Sequence, residues 1–119
     1  MNMLQPLADI AALEAAIAES RERPVLLFKH SRTCGISCEA FEELHAHIEA
    51  CPGGAAYKLI TVQSHRNVAE EVTVRLGIRH ESPQAILIRN GDVIWHGSHF
   101  RITADQLTRV LSTPAALAN

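Results

Sequence analysis

The chain has no apolar run near the ~18 residues that a membrane span requires. Its opening stretch, MNMLQPLADI, lacks a basic region followed by an apolar one, so it does not read as a secretory leader. A cytoplasmic location is therefore expected, where thiols are kept reduced. Neither sign of charge dominates. Eleven Lys and Arg stand against 13 Asp and Glu, a net charge of -2, which gives no basic field for nucleic acid or an anionic membrane surface. Repeats, low-complexity tracts and linkers are absent. The 119 residues are thus expected to form one domain, 1–119, with a core that needs no staples. Cysteine is scarce. Three residues, Cys34, Cys38 and Cys51, are an odd count, and their spacing with His30 matches no paired zinc knuckle. A structural disulfide framework is not expected, nor a metal or a tightly bound cofactor. His96 and His99 would point to opposite faces of an extended segment and make poor co-ligands. Oligomeric state is left open.

What is present is a clear succession of elements. DIAALEAAIAESRER sets Ile10, Leu13 and Ile17 on one helical face, with Asp9 able to cap the start and Pro24 to end it. PVLLFK is a short continuous apolar run, the signature of a strand buried on both faces. After the loop HSRT, where Ser31 or Thr33 can cap, Phe41, Leu44 and Ile48 recur at helical spacing until CPGG. YKLITVQ reads as a strand. NVAEEVTVRLG reads as a short helix, with Asn67 and Glu70 at capping-box spacing and Gly77 at its end. QAILIR and DVIWHG are strands joined by Asn90-Gly91, a strong hairpin signal, and Thr103-x-x-Gln106 opens a last helix. The tail STPAALAN is expected to fray. The order α-β-α-β-α-β-β-α, with a right-handed crossover between the first two strands, is the thioredoxin-like α/β arrangement. It predicts a four-stranded mixed sheet flanked by helices, with an extra helix at the N-terminus.

Cys34 falls at the start of the second helix. The first amides of a helix have no internal partner and carry the positive end of its dipole, so a thiolate is favoured there and the thiol pKa falls. Lys29, His30 and Arg32 are expected to add positive potential. Cys34 is accordingly the candidate nucleophile for disulfide exchange. Thioredoxin folds carry a cis-proline beside the reactive sulfur, and Ser82-Pro83 stands in that place, with the Ser82 backbone able to pair with an incoming thiol compound. Cys38 departs from the usual C-x-x-C. Residues i and i+4 of a helix lie on one face, with Cα atoms ~6 Å apart, and disulfides need ~4.4–6.8 Å. An intramolecular bond is feasible, and so is a Cys38 that merely fills space. Cys51 lies seventeen residues beyond Cys34, ~25 Å along a straight helix, and cannot resolve it within one chain. Trp95 is expected to pack on the core.

Two resemblances follow. Cys34-Gly35-Ile36-Ser37 resembles the C-G-F-S of monothiol glutaredoxins, which share an iron–sulfur cluster between two chains, but Glu81-Ser82-Pro83 replaces their T-V-P and no later Gly-Gly follows. FKHSRTCGIS, HESPQ and RNGDVIWHGSHFRIT together resemble the monothiol bacilliredoxin family, with K-H-S-x-x-C-P-I-S, H-E-S-P-Q and W-H-x-S-H in the same order over nearly the whole chain. That resemblance implies a thiol–disulfide oxidoreductase that removes bacillithiol from client proteins. Bacillithiol would be the thiol co-substrate, and a second bacillithiol or a disulfide reductase the regenerating partner. It maps the nucleophile to Cys34, the cis-proline to Pro83 and the flanking motif to Lys29, His30, Ser31 and Ser37, with Thr33, Gly35 and Ser82 completing the expected substrate-binding set. Two departures stand out. The family's proline after the cysteine is Gly35 here, and Cys38 occupies a site commonly without cysteine. Together they suggest that Cys38 resolves the Cys34 adduct. An iron–sulfur carrier, a general disulfide reductase and a non-catalytic interaction module remain as alternatives.

Overall fold

The computed structural model describes residues 4–33 and 35–112; Cys34 and the tail beyond Ser112 lie outside the described residues. Its elements are β1 (Leu4–Pro6), α1 (Ile10–Glu19), β2 (Val25–His30), α2 (Gly35–Ala50), β3 (Ala56–Thr61), α3 (Arg66–Leu76), β4 (Gln84–Arg89), β5 (Asp92–Ser98), a 3-10 turn (His99–Arg101) and α4 (Ala104–Ser112). The sheet order is β1-β3-β2-β4-β5. β3 runs parallel to β1 and β2, and β4 and β5 are antiparallel additions.

The sheet has five strands rather than the four expected. The extra one, β1, pairs with β3 through Leu4, Gln5 and Pro6. Three residues are too few to show alternation. Pro6, which lacks an amide donor, is tolerated because β1 is an edge strand.

Period-two alternation divides the central strands between two cores. Leu26 and Phe28 of β2, with Ala85 and Leu87 of β4, meet Ala40, Leu44 and Ile48 of α2 and Leu107 of α4. Val25 and Leu27, with Ile86 and Ile88, meet Leu13 and Ala16 of α1 and Val68, Ala69 and Val72 of α3. Two buried faces explain why PVLLFK reads as unbroken apolar sequence. Trp95 packs against the α2–α4 core, as expected.

Local signals hold at most boundaries. Asp9 accepts the Ala12 amide at 2.8 Å, and Thr103 accepts that of Gln106 at 3.1 Å. Asn90 and Gly91 both have positive φ, 54° and 79°, the backbone of a two-residue hairpin. Gly77 closes α3 in the left-handed region. Two expectations fail. α3 starts at Arg66 after His65, with no side-chain cap, so Asn67 is inside the helix. α1 stops at Glu19, ahead of Pro24, where Ser20 turns away to bind the hairpin: its carbonyl accepts Asn90 N–H at 2.8 Å and its hydroxyl accepts Gly91 N–H at 2.9 Å.

Candidate active site

The parallel strands β2 and β3 end at one edge of the sheet, and the loop from β2 into α2 crosses that edge. Cys34 itself lies outside the described residues. The covalent chain sets it between Thr33 and Gly35, the first residue of α2. What surrounds that position is well defined.

Ser37, one turn into α2, is fully buried. Its hydroxyl accepts the Ser31 amide at 2.9 Å and bonds His30 Nδ1 at 2.9 Å. His30 is half-buried and stacks on Phe41 of α2, with ring centroids 4.8 Å apart. Burial, and then the nearby Arg32 charge, push its imidazole below the ordinary value of 6.5, so the ring is neutral at pH 7. A neutral ring with its acceptor at Nδ1 accepts a hydrogen bond from the Ser37 hydroxyl, and this assignment leaves the ring hydrogen on Nε2.

The other side of the loop is held by Gln63, which sequence reasoning missed. Its Nε2 donates to Ser31 Oγ at 2.8 Å and to Thr33 Oγ1 at 3.2 Å, and its Oε1 accepts Arg32 N–H at 3.1 Å. The Ser31 and Thr33 hydroxyls, expected to cap α2, both accept from Gln63. A lone glutamine after a strand carries no periodic or motif signal.

Lys29 and His30 do not act together. Adjacent strand residues face opposite sides. Lys29 is fully buried, and its Nζ lies 3.2 Å from His80 Nδ1. Burial lowers its pKa to about 8, against the opposing pull of Glu81. Glu81 accepts from Ser98 Oγ, which with the nearby cations holds its carboxyl below the usual range. Lys29 therefore braces the loop before β4 and is not a ligand-facing cation. With His30 neutral and the Lys29 ammonium buried, Arg32 is the exposed cation of the motif.

The Ser82–Pro83 peptide bond is cis. The β2–β4 ladder ends with Lys29 opposite Gln84, so His30 and Pro83 are next in register. The Pro83 carbonyl accepts His99 N–H at 3.1 Å, and Ser82 Oγ is buried without a hydrogen-bond partner among the described residues. The structure thus brings His30, Ser31, Thr33, Gly35, Ser37, Ser82 and Pro83 to one edge and turns Lys29 behind it.

Cys38 is an exposed free thiol in the first turns of α2, which removes the filler reading. A Cβ built on Gly35 would meet nothing within 4 Å among the described residues, so space does not demand glycine there. Cys51 sits beyond the far end of α2, its sulfur 4.0 Å from Thr108 Oγ1. Thr108 also meets His47 Nδ1 at 2.9 Å, and Tyr57 O–H lies 2.8 Å from His47 Nε2.

The family model for the monothiol bacilliredoxin BrxC matches residues 5–107. A solved structure described as a putative oxidoreductase with a thioredoxin fold is 27% identical, with 90% of this chain and 92% of that one covered and a TM-score of 0.80. Thioredoxin from Fasciola hepatica (18% identity, 91% and 96% covered, TM-score 0.73) and chloroplastic thioredoxin z (17%, 100% and 98%, 0.76) share the fold.

Proposed function

Since the chain belongs to the monothiol bacilliredoxin family, we propose that it removes bacillithiol from mixed disulfides on client proteins in the cytoplasm, with Cys34 as nucleophile and Cys38 as resolving thiol. The thiol redox role has the support of the family and of the oxidoreductase relative. One observation carries the finer reading. The loop into position 34 is pinned from both sides, by Ser37 and by Gln63, directly ahead of a sixteen-residue helix whose first amides lack helical partners. Such an end favours a thiolate, and a fixed loop keeps it there.

The chemistry balances without an external oxidant. The Cys34 thiolate attacks the bacillithiol sulfur of the mixed disulfide, and a Cys34–bacillithiol disulfide forms. The client sulfur leaves with the bonding electrons and takes up a proton. Cys38 then attacks the Cys34 sulfur as thiolate, bacillithiol departs, and a Cys34–Cys38 disulfide results. A dithiol reductase supplies the two electrons that restore both thiols. Exposure of Cys38 supports its part, since it is open to the reductase. In an intact-mass time course with a bacillithiolated client, Cys38→Ser should accumulate the adduct and wild type should not. Equal accumulation in both would remove Cys38 from the mechanism, and no adduct on either would remove the function.

A further inference from the structure

Gln63 stands just past the end of β3 and reaches three consecutive residues of the loop into α2. One of them fixes which way its amide points. Arg32 N–H, 3.1 Å away, can only donate, so the side-chain oxygen of Gln63 must face it. The NH2 group is then left for Ser31 Oγ and Thr33 Oγ1, at 2.8 and 3.2 Å. Its two hydrogens serve the two oxygens, one each, so both hydroxyls are held as acceptors. Neither can give its own proton to Gln63. The two oxygens lie 3.5 Å apart, and at most one O–H can turn toward the other oxygen. Neither hydroxyl has a further partner among the described residues. One hydroxyl proton is therefore left to donate outward. Thr33 is exposed and directly precedes Cys34.

We infer that Gln63 is a positioning residue for the thiol reaction: it turns the Thr33 hydroxyl into a hydrogen-bond donor for the anionic sulfur at position 34, with Ser31 completing the arrangement. The inference rests on Cys34 as the proposed nucleophile and adds a residue that no motif marks. A thiolate has no proton of its own, so only donors stabilise it. A hydrogen bond to an ion is also stronger than one between neutral groups. The first amides of α2 supply donors from the helix side. The oriented hydroxyl supplies one from the loop side. A hydroxyl free to rotate presents its lone pairs as readily as its proton. Gln63 removes that choice by occupying a lone pair on each oxygen. No proton is transferred in this contact; it favours the ionised sulfur over the neutral one.

The test is alkylation of the folded chain by iodoacetamide across the thiol titration range, followed at the Cys34 peptide by mass spectrometry. Gln63→Met keeps the length of the side chain and removes its polar atoms. The midpoint of the pH profile should move up by about one pH unit, as loss of one hydrogen bond to a charged group does. Below the midpoint the rate should fall about tenfold, and the alkaline plateau should stay. Thr33→Val alone should shift the midpoint by as much. Gln63→Met placed on top of Ser31→Ala and Thr33→Val should move it no further. If Gln63 only tethers the loop through Arg32, the shift is the same with and without the hydroxyls. That result, or an unmoved midpoint in either single variant, overturns the inference and leaves Cys34 standing as nucleophile. A wild-type midpoint at the free-thiol value of ~8.5 overturns both.

Discussion

Replacing Ser37 with alanine should release the reactive loop from the first turn of α2. The lost hydroxyl accepts the Ser31 amide and bonds His30 Nδ1, each at 2.9 Å, from a fully buried position. A hydrogen bond of this kind contributes about 0.5–1.5 kcal/mol net, so the pair is worth about 1–3 kcal/mol. Ser31 and His30 are only half-buried, and water can reach part of what is stranded. The lower half of that range is therefore expected, about 1–2 kcal/mol. For a chain of this size 1 kcal/mol moves Tm by about 4 °C, so Tm should fall by about 4–8 °C. Urea and thermal unfolding of Ser37→Ala, His30→Phe and the double variant measure the linkage. Phenylalanine keeps the stack on Phe41 and removes only the ring nitrogens. The two changes should couple by about 0.5–1.5 kcal/mol. The alkylation rate of Cys34 in Ser37→Ala should follow the loosened loop and fall at neutral pH. Additivity within about 0.3 kcal/mol, with unchanged alkylation, would refute the reasoning.

Three further outcomes are expected. The buried Lys29 ammonium titrates near 8, below its ordinary 10.5. The unfolded chain therefore binds more protons between those values, and stability should rise with pH across that window. At pH 7 both states are charged and the burial cost stands in full, up to about 3 kcal/mol. Lys29→Met should thus resist urea better at pH 7 and lose the alkaline rise, and a less stable variant would contradict this. His30, His47 and His80 are all held below their ordinary 6.5, in each case first by burial. Their stabilisation is complete above that value and declines as pH falls through the folded-state values. Urea midpoints should drop from pH 7 toward pH 5, and a flat profile would exclude the effect. Finally, a Cβ at Gly97 would lie 2.8 Å from Trp95 Cζ2. Gly97→Ala should cost about 1–3 kcal/mol by overpacking, checked by its urea midpoint. Wild-type stability would mean that the indole moves aside at no cost.

The fold was largely legible because its signals are local. Alternation, helical spacing, Asp9, Asn90-Gly91 and Thr103 each report a boundary from within a few residues. β1 was invisible because three edge residues carry no period. The end of α1 was misplaced because Ser20 serves a hairpin seventy residues away. The candidate site was legible as a motif but not as an arrangement. Lys29 and His30 are neighbours in the chain and point to opposite faces of the sheet. Gln63 binds the loop across some thirty residues without any mark in the sequence.

By itself the sequence determined the order of the helices and of every strand but β1, the family to which the chain belongs, and the cysteine ahead of the second helix. Those follow from short-range propensity and from blocks of residues in fixed order. Only the tertiary structure decided which motif residues share a side, that the motif lysine is a buried brace, and that Cys38 is open to solvent. Burial and partnership depend on what the rest of the chain brings alongside, and no local pattern encodes that.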